Sequence, residues 1–297
     1  MAAQTARPAS PGHWTFAVRQ FRFWLTDYRR TWRAAVYSGL LSPLLYLGAI
    51  GVGLGSLINK HGTGQLGGVD YLTFLAPGLL AAAGMQTAMA EAMFPVFGSL
   101  KWNKTYHAAV ASPLRPADVF HGHLLFITMR LAMNAAIFLT VAAVLSAVAS
   151  PWAIAAIPVT VLTGLAFAAP LEAWSVTRTQ DTSFSLIFRF GMIPLFLFSG
   201  TFFPITRLPG WLQPVAYLSP LWHGVALDRS LSLGIASPLG AAAHLGYLLG
   251  TQPRRLHQFA CRIRPVGRKL PVAVRSRTGI RAGVRVALHK HIVWQVR

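Results

Sequence analysis

Six apolar runs divide the first 250 residues of the chain. A helix needs about 20 apolar residues, within a range of about 17–25, to cross the hydrocarbon core of a bilayer. The runs cover residues 34–58, 71–97, 124–149, 151–176, 184–203 and, more weakly, 233–250. The pattern predicts an all-α integral membrane protein whose transmembrane domain, residues 34–250, has six spans.

The polar residues between the runs predict an orientation. Six arginines precede span one, whereas the first connection, residues 59–70, contains only one basic residue, Lys60. The second connection has three basic residues, the third none, the short fourth has Arg178, and the long fifth has two. Cytoplasmic loops are enriched in Lys and Arg. The alternation therefore predicts that both termini are cytoplasmic.

The segment before span one, residues 1–33, contains an amphipathic pattern. Its apolar stripe recurs at steps of three and four residues and comprises Trp14, Val18, Phe21, Leu25, Tyr28 and Trp32. Five arginines lie off this stripe. An aromatic face with a basic remainder is typical of a helix that lies in the membrane interface. We expect residues 14–33 to form such a helix.

Four charged residues fall inside the predicted spans, all in the cytoplasmic third: Glu91, Arg130, Glu172 and Arg189. Intramembrane charges are costly and usually face the bundle or one another. Two ion pairs between adjacent helices are predicted, Glu91–Arg130 and Glu172–Arg189. The alternative is that each side chain reaches separately to the near interface.

Two connections have distinctive patterns. In the cytoplasmic connection 98–118, residues Lys101–Ala111 can form a short helix that ends before Pro113 and Pro116, either as a docking surface or as a plain connector. The outer stretch 202–229 is apolar, contains Trp211, Tyr217 and Trp222, and is interrupted by prolines. A soluble loop would be more polar, and a simple span would not be interrupted so often.

Composition supports lipid as the solvent, because 54% of the residues are hydrophobic and only 11% are charged. The formal charge of +20 is concentrated in the tail, residues 251–297, which holds 12 of the 27 Lys and Arg residues and no acid. This tail is predicted to be frameshifted or disordered. The alternative is a basic tail that binds anionic lipid or nucleic acid.

The sequence contains only weak matches to nucleotide-binding and catalytic motifs. Residues 62–67, GTGQLG, match a dinucleotide fingerprint but follow a span, so they are interpreted as a flexible turn. The sequence has no P-loop and no Gly-Lys pair, so any ATP must be used by a partner subunit. The single cysteine, Cys261, allows no internal disulfide. His121 and His123 are interpreted as interfacial residues, and His223 lacks triad partners. No catalytic residue, cofactor site or metal site is predicted.

The chain resembles the ABC-2 type permeases. The likeness lies in YLTFLAPGLLAAAGMQTAMAEAMFPVFGSLKWNKTYHAAVASPLRPADV and in FLFSGTFFPITRLPGWLQPVAYLSPLWHGVALDR, and it runs from about residue 14 to 250. The branch it is most similar to includes nodulation-factor exporters and daunorubicin permeases. Family members normally complete span six and stop after a few basic residues, whereas this chain continues into the tail.

The resemblance implies a six-span exporter half of the bacterial plasma membrane, which dimerises with an identical or different permease and pairs with a separate ATPase. A coupling helix would contact that ATPase through Lys101, Trp102, Lys104, Tyr106 and His107. The segment between spans five and six would re-enter the outer leaflet and gate the exit, with Pro204, Pro209, Trp211, Pro220, Trp222, His223 and Arg229. The cargo would be an amphipathic drug, lipid or lipo-oligosaccharide.

Two other classes of function stay open at this stage. A membrane-embedded, lipid-linked transferase would need paired carboxylates or a His–acid set near a membrane face. A nucleic-acid binder would depend on the basic tail alone and is not expected, so membrane lipid and the ATPase are the predicted partners.

Overall fold

A computed structural model describes residues 13–60, 68–112 and 114–251. Within these ranges the chain is helical and forms no strand. Three helical stretches are long and apolar enough to cross a membrane, namely Tyr71–Lys101, Pro116–Val144 and Pro151–Ser175. They coincide with predicted spans two, three and four and confirm an α-helical membrane protein. The predicted turn at 62–67 and the tail beyond Thr251 lie outside the described residues.

The first helical stretch is continuous from residue 13 to residue 60. Helix α1 (His13–Tyr46) runs into a π-helical stretch (Leu47–Leu54) and then into α2 (Gly55–Lys60). The predicted interfacial helix and span one are therefore parts of one helix, with no break near residue 33.

The remaining elements follow in chain order: α3 (Tyr71–Lys101), α4 (Thr105–Ala111), α5 (Pro116–Val144), a 3₁₀ turn (Pro151–Ala155), α6 (Ala156–Ser175), α7 (Thr182–Ile187), a π-helical turn (Phe188–Met192), α8 (Ile193–Phe198), a 3₁₀ turn (Ile205–Arg207), α9 (Gln213–Tyr217), α10 (Pro220–Leu233) and α11 (Pro238–Gly250). The helical stretch 182–198 is shorter than predicted span five. Helix α11 has 13 residues, fewer than the roughly 17 that a span needs.

Helix α3 lies at the centre of the bundle and packs against α5, α6 and α10. Its closest approach to α6 is at Gly84, where a Cβ atom would lie 2.5 Å from Thr160 Cγ2. On α6, a Cβ at Gly164 would lie 3.3 Å from the carbonyl oxygen of Gly84. Small residues allow membrane helices to approach closely. Both positions therefore require glycine for this packing.

The amino-terminal half of α1 packs against the first turns of α5 through a face that includes only part of the aromatic stripe. Its buried residues are Ala17, Gln20 and Trp24, whereas Trp14 is 71% exposed. A Cβ at Gly122 of α5 would lie 2.7 Å from the carbonyl oxygen of Ala17, so glycine creates the notch that admits α1. The fully buried residues lie about a quarter turn from the aromatic stripe. Phe21 and Tyr28 of the stripe still pack against the same core, whereas Trp32 is exposed.

Candidate functional site

Helix α4 follows α3 in the chain and is separated from it by a sharp turn. Lys101 is the last residue of α3, and Lys104 has a left-handed backbone with φ of 53°. The amides of Trp102 and Asn103 both donate to the Gly98 carbonyl, at 3.0 and 2.9 Å. The predicted helix Lys101–Ala111 is thus divided in two, and only Thr105–Ala111 forms α4.

The predicted coupling residues differ in exposure. Lys101 and Lys104 are exposed, and Trp102 is 62% exposed. His107 is half-buried. Burial, together with the charges of Lys104 and then Lys101, lowers the pKa of His107 below its ordinary value of 6.5. His107 is therefore neutral near pH 7, and the exposed charge at this surface comes from the two lysines.

Tyr106 differs from the predicted coupling residues because it is completely buried. It packs in a core cluster with residues of α1, α3, α5 and α6, including Trp24, Val119 and Ala173. Burial, and then the nearby Glu172 carboxylate, raise the pKa of Tyr106 well above its usual value. The prediction that Tyr106 contacts a partner is wrong, because its ring faces the bundle and holds α4 against it.

A buried histidine–glutamate pair lies near Tyr106. Oε1 of Glu172 lies 3.1 Å from Nδ1 of His123, and both side chains are fully buried. The imidazole ring stacks on the indole of Trp24, with centroids 4.5 Å apart. His123 is therefore an interior residue and not the interfacial one predicted. His121 is half-buried, and its Nδ1 lies 2.7 Å from the Ala117 carbonyl oxygen.

The predicted Glu172–Arg189 ion pair is wrong. Arg189 lies in the π-helical turn after α7 and is exposed, whereas Glu172 faces the interior between α5 and α6. The prediction assumed that a charge pairs with its neighbour in sequence order. Helix α6 instead packs against α5, where Glu172 pairs with His123 at 3.1 Å. Arg189 forms no ion pair with an acid among the described residues.

The structure brings Glu91 and Arg130 together. Nη2 of Arg130 lies 2.9 Å from Oε1 of Glu91, which joins α5 to α3. The guanidinium also lies over the ring of Tyr28, with its carbon 4.9 Å from the ring centroid. His123 and Arg130 are seven residues apart, about two helical turns. One face of α5 therefore carries both partners of the two intramembrane glutamates.

The segment between α8 and α10 is a series of short elements separated by turns. Gly200 has a φ of 79°, which favours glycine, and the chain then forms the 3₁₀ turn and α9 before α10 begins. Pro214 and Pro220 lie in the first turns of α9 and α10, where the missing N–H costs nothing. These prolines therefore begin helices. Pro204 immediately precedes the 3₁₀ turn in an extended conformation.

The aromatic residues of this segment differ in exposure. Trp211 is 76% and Tyr217 is 40% exposed. Trp222 is half-buried with its ring edge-on to Tyr217, at a centroid distance of 4.7 Å. Pro209 is exposed and accepts a hydrogen bond from the Leu212 amide at 2.9 Å. The exposed aromatic surface of the segment is therefore centred on Trp211.

Arg229 joins α10 to two other elements. Its Nη2 donates to the Gly200 carbonyl at 2.9 Å and to the Thr201 carbonyl at 3.4 Å, and its Nε donates to the Phe74 carbonyl at 3.2 Å. The guanidinium also lies over the Phe74 ring, at 3.8 Å from the centroid. The side chain thus ties the turn after α8 to the first turn of α3.

Asp228, which the sequence did not single out, joins α10 to α6. It is fully buried and accepts a hydrogen bond from Oγ1 of Thr160 at 2.9 Å. One turn earlier, a Cβ at Gly224 would overlap Thr163. The four-residue spacing of Gly224 and Asp228 puts both on one helix face, and this spacing is the signal that could have revealed the contact.

His223 contacts α11. Its Nδ1 lies 2.8 Å from Nδ1 of His244, and its ring stacks on Tyr247 with centroids 3.8 Å apart. Neither the contact between the two histidine nitrogens nor the stacking on Tyr247 places an acid or a catalytic nucleophile beside His223. Among the residues that the structure describes, no group of three or more His, Cys, Asp or Glu could hold a metal ion.

Comparison with known proteins identifies the family. The model of the ABC-2 type transporter family matches residues 14–231. The chain is 32% identical over 218 residues to nodulation protein J of Rhizobium leguminosarum bv. trifolii, covering 71% of this chain and 81% of that protein. It is 30% identical over 236 residues to nodulation protein J of Rhizobium meliloti (strain 1021), covering 76% and 86%. It is 26% identical over 220 residues to the inner membrane transport permease YadH of Escherichia coli (strain K12), covering 71% and 82%. The chain therefore belongs to the ABC-2 type transporter family, whose members are the membrane subunits of ATP-binding cassette transporters.

Proposed function

We propose that the chain is the permease subunit of an exporter that moves an amphipathic drug, lipid or lipo-oligosaccharide outward across the bacterial inner membrane. It pairs with a second permease, identical or different, and with a separate ATPase. The observation that carries the proposal is α4, a short helix fixed to the bundle by buried Tyr106 and bordered by exposed Lys101, Trp102 and Lys104. The family match supplies the ATPase as the class of partner.

Movement of α4 reaches the spans through close packing. Tyr106 contacts the same core cluster as residues of α1, α3, α5 and α6. Protein interiors are packed as densely as organic crystals, so a rigid element cannot move without displacing its neighbours. ATP shifts the conformational equilibrium only if it binds one state better than the other. The ATPase therefore changes the bundle by preferring one position of α4.

The segment between α8 and α10 is the proposed outer gate. Gly224 contacts Thr163 near the middle of α6, whereas Arg229 contacts Phe74 at the start of α3. These contacts favour a segment that dips towards the middle of the bundle and returns. Irregular backbone is tolerated at membrane depth only where protein or a water-filled cavity satisfies it, and Arg229 satisfies two carbonyls of this segment.

The proposed topology keeps six crossings with both termini in the cytoplasm. The stretches 34–58 and 182–198 supply the first and fifth crossings, in addition to the three long apolar helices. Helix α11 begins the sixth. This arrangement puts α4 on the cytoplasmic side, where the ATPase is, and Trp211 on the outer side, where an aromatic ring suits the headgroup level.

The experiment is reconstitution with a candidate ATP-binding cassette ATPase from the same organism. We expect the two proteins to purify together in detergent and the permease to stimulate ATP hydrolysis in proteoliposomes. Lys101→Ala and Lys104→Ala together should weaken the complex, while Lys60→Ala, which removes an exposed lysine at the other end of the bundle, should leave it unchanged. Co-purification that is insensitive to the double substitution would refute α4 as the docking surface.

The alternative of a membrane-embedded transferase is not favoured. The His123–Glu172 pair is the kind of His–acid set that such an enzyme needs, but both side chains are fully buried beneath α4. Glu91 is held by Arg130, and Asp228 is fully buried against Thr160. A substrate bound from either membrane face cannot reach the buried pair in this conformation.

A further inference from the structure

A cavity of about 280 Å³ lies between α1, α3 and α5 near the cytoplasmic ends of these helices. Its lining includes Trp24, Asp27 and Tyr28 of α1, Glu91 of α3, Trp102 and Arg130. Asp27 and Trp102 are exposed, so the cavity opens to the surface at their side. Small-molecule sites are typically about 300–1,000 Å³. This cavity therefore has room for the head of an amphiphile but not for the whole molecule.

The charge of the cavity is opposite to that of the chain. The protein has 27 basic and 7 acidic residues, yet two of those seven acids, Asp27 and Glu91, line this cavity with only Arg130 as a basic residue. With all three charged, the lining is negative by one unit. Because Arg130 neutralises Glu91, the carboxylate that the recess has left for a positively charged group is that of Asp27.

The internal ion pair shows how this recess holds a cation. Arg130 is bound by the Glu91 carboxylate at 2.9 Å and lies over the face of Tyr28 at 4.9 Å. A carboxylate with an aromatic face is the arrangement that binds cations, including ammonium ligands. Asp27 and the exposed ring of Trp102 provide the same two kinds of group, and within the described part of the chain Asp27 has no ion-pair partner.

The recess therefore offers a carboxylate and an aromatic ring for an ammonium group. The indole Nε1 of Trp24 has no hydrogen-bond partner among the described residues, but it has almost no accessible surface and so does not face the recess.

We propose that this recess binds the protonated amine of an amphiphile taken from the inner leaflet. Given the proposed export function, on which this assignment depends, the amphiphile is the cargo at its point of entry. The same chemistry occurs in the headgroup of phosphatidylethanolamine, so the experiment must separate an exported molecule from the surrounding lipid.

The experiment uses the purified full chain in phosphatidylglycerol nanodiscs without any ATPase. The probe is a long-chain amino alcohol with a photoactivatable diazirine near its head, and the control probe is its N-acetylated analogue. Mass spectrometry then locates the labelled peptides. We expect the amine probe, more than the acetylated one, to label peptides containing residues 24–31, 91–103 and 126–130.

Two variants test the contacts. Asp27→Asn preserves shape at an exposed position and should lower labelling by about threefold to tenfold, the range for one partly exposed cation contact. Asp181→Asn removes another exposed acid, at the start of α7, and should leave labelling unchanged. Equal labelling by both probes, or no change in Asp27→Asn, would overturn the proposal.

The source of the ligand is tested by adding phosphatidylethanolamine to the nanodiscs. Persistent labelling supports an exported amphiphile, whereas complete loss overturns that assignment in favour of the lipid headgroup. Failure of this inference and failure of the export function are separable, because labelling requires no ATPase. A chain that binds the amine probe but does not transport with its ATPase would refute only the function. Transport without labelling would refute only the binding site.

Discussion

Arg229→Met tests whether one side chain fixes the outer gate. The substitution preserves length and apolar packing but removes three hydrogen bonds to carbonyls, at 2.9, 3.2 and 3.4 Å, and the contact with the Phe74 ring. Side-chain hydrogen bonds in membrane proteins contribute about 0.6 kcal/mol on average and at most about 1.7. A cation–π contact adds about 0.5–2 kcal/mol. Since the bond to Thr201 is long, we expect a total loss of about 2–4 kcal/mol.

The assay is reversible unfolding in mixed micelles, together with hydrogen–deuterium exchange of the peptide that contains Gly200 and Thr201. Exchange there should accelerate in Arg229→Met, because the turn loses its tie to α10. Arg229→Lys keeps the charge but cannot reach both sides, so about half the loss should remain. Arg207→Met is the matched control, since Arg207 is exposed in the same segment. If Arg229→Met and Arg207→Met have equal stabilities and equal exchange rates, the Arg229 side chain does not fix this segment.

Three further predictions concern packing, topology and pH. Gly224→Ala should destabilise the protein by about 1–3 kcal/mol through overpacking against α6, while Gly246→Ala, with open space around it, should not; thermal unfolding measures both. In a cysteine-free background, a cysteine that replaces Lys104 should react only with cytoplasmic reagents, and a cysteine that replaces Trp211 only with external reagents. If both cysteines react from the same side of the membrane, the proposed topology is wrong. Since the folded-state pKa of His107 lies below its unfolded value of 6.5, the folded state binds fewer protons, so stability should fall as pH drops below about 6.5. His107→Gln should abolish that component in unfolding measured at about pH 8 and about pH 5.5.

The helical architecture could be predicted because lipid imposes a length and a polarity on each span. Residues 71–97, 124–149 and 151–176 are apolar over the distance that a bilayer requires, and each coincides with a helix of the structure. The end of α4 could also be predicted, because the residue before a proline disfavours helix and Ser112 is extended. The division at Lys104 could not, since a lysine carries no signal for a left-handed backbone.

The face that α1 presents to the bundle could not be predicted from its own pattern. Apolar periodicity predicts which face avoids water, but in a membrane protein both lipid and protein avoid water. The aromatic stripe from Trp14 to Trp32 avoids water, but the position of the helix contact is set by the notch at Gly122 on α5. The same ambiguity applies to Tyr106, whose ring could equally have faced a partner.

Partners of buried charges are the least predictable part of the site, and the reason is geometric. Glu91 and Arg130 meet because adjacent antiparallel spans bring residues at equal depth together. The same rule predicts that Glu172 pairs with Arg189, but equal depth does not determine which neighbouring helix supplies the partner. Glu172 bonds to His123 because α6 lies against α5. A histidine near the interface carries no sign in its sequence that it will be buried. The depth of a residue in the membrane can be predicted from its position in the span. The direction in which its side chain points around the helix depends on packing, and the partner of a buried acid is determined by both.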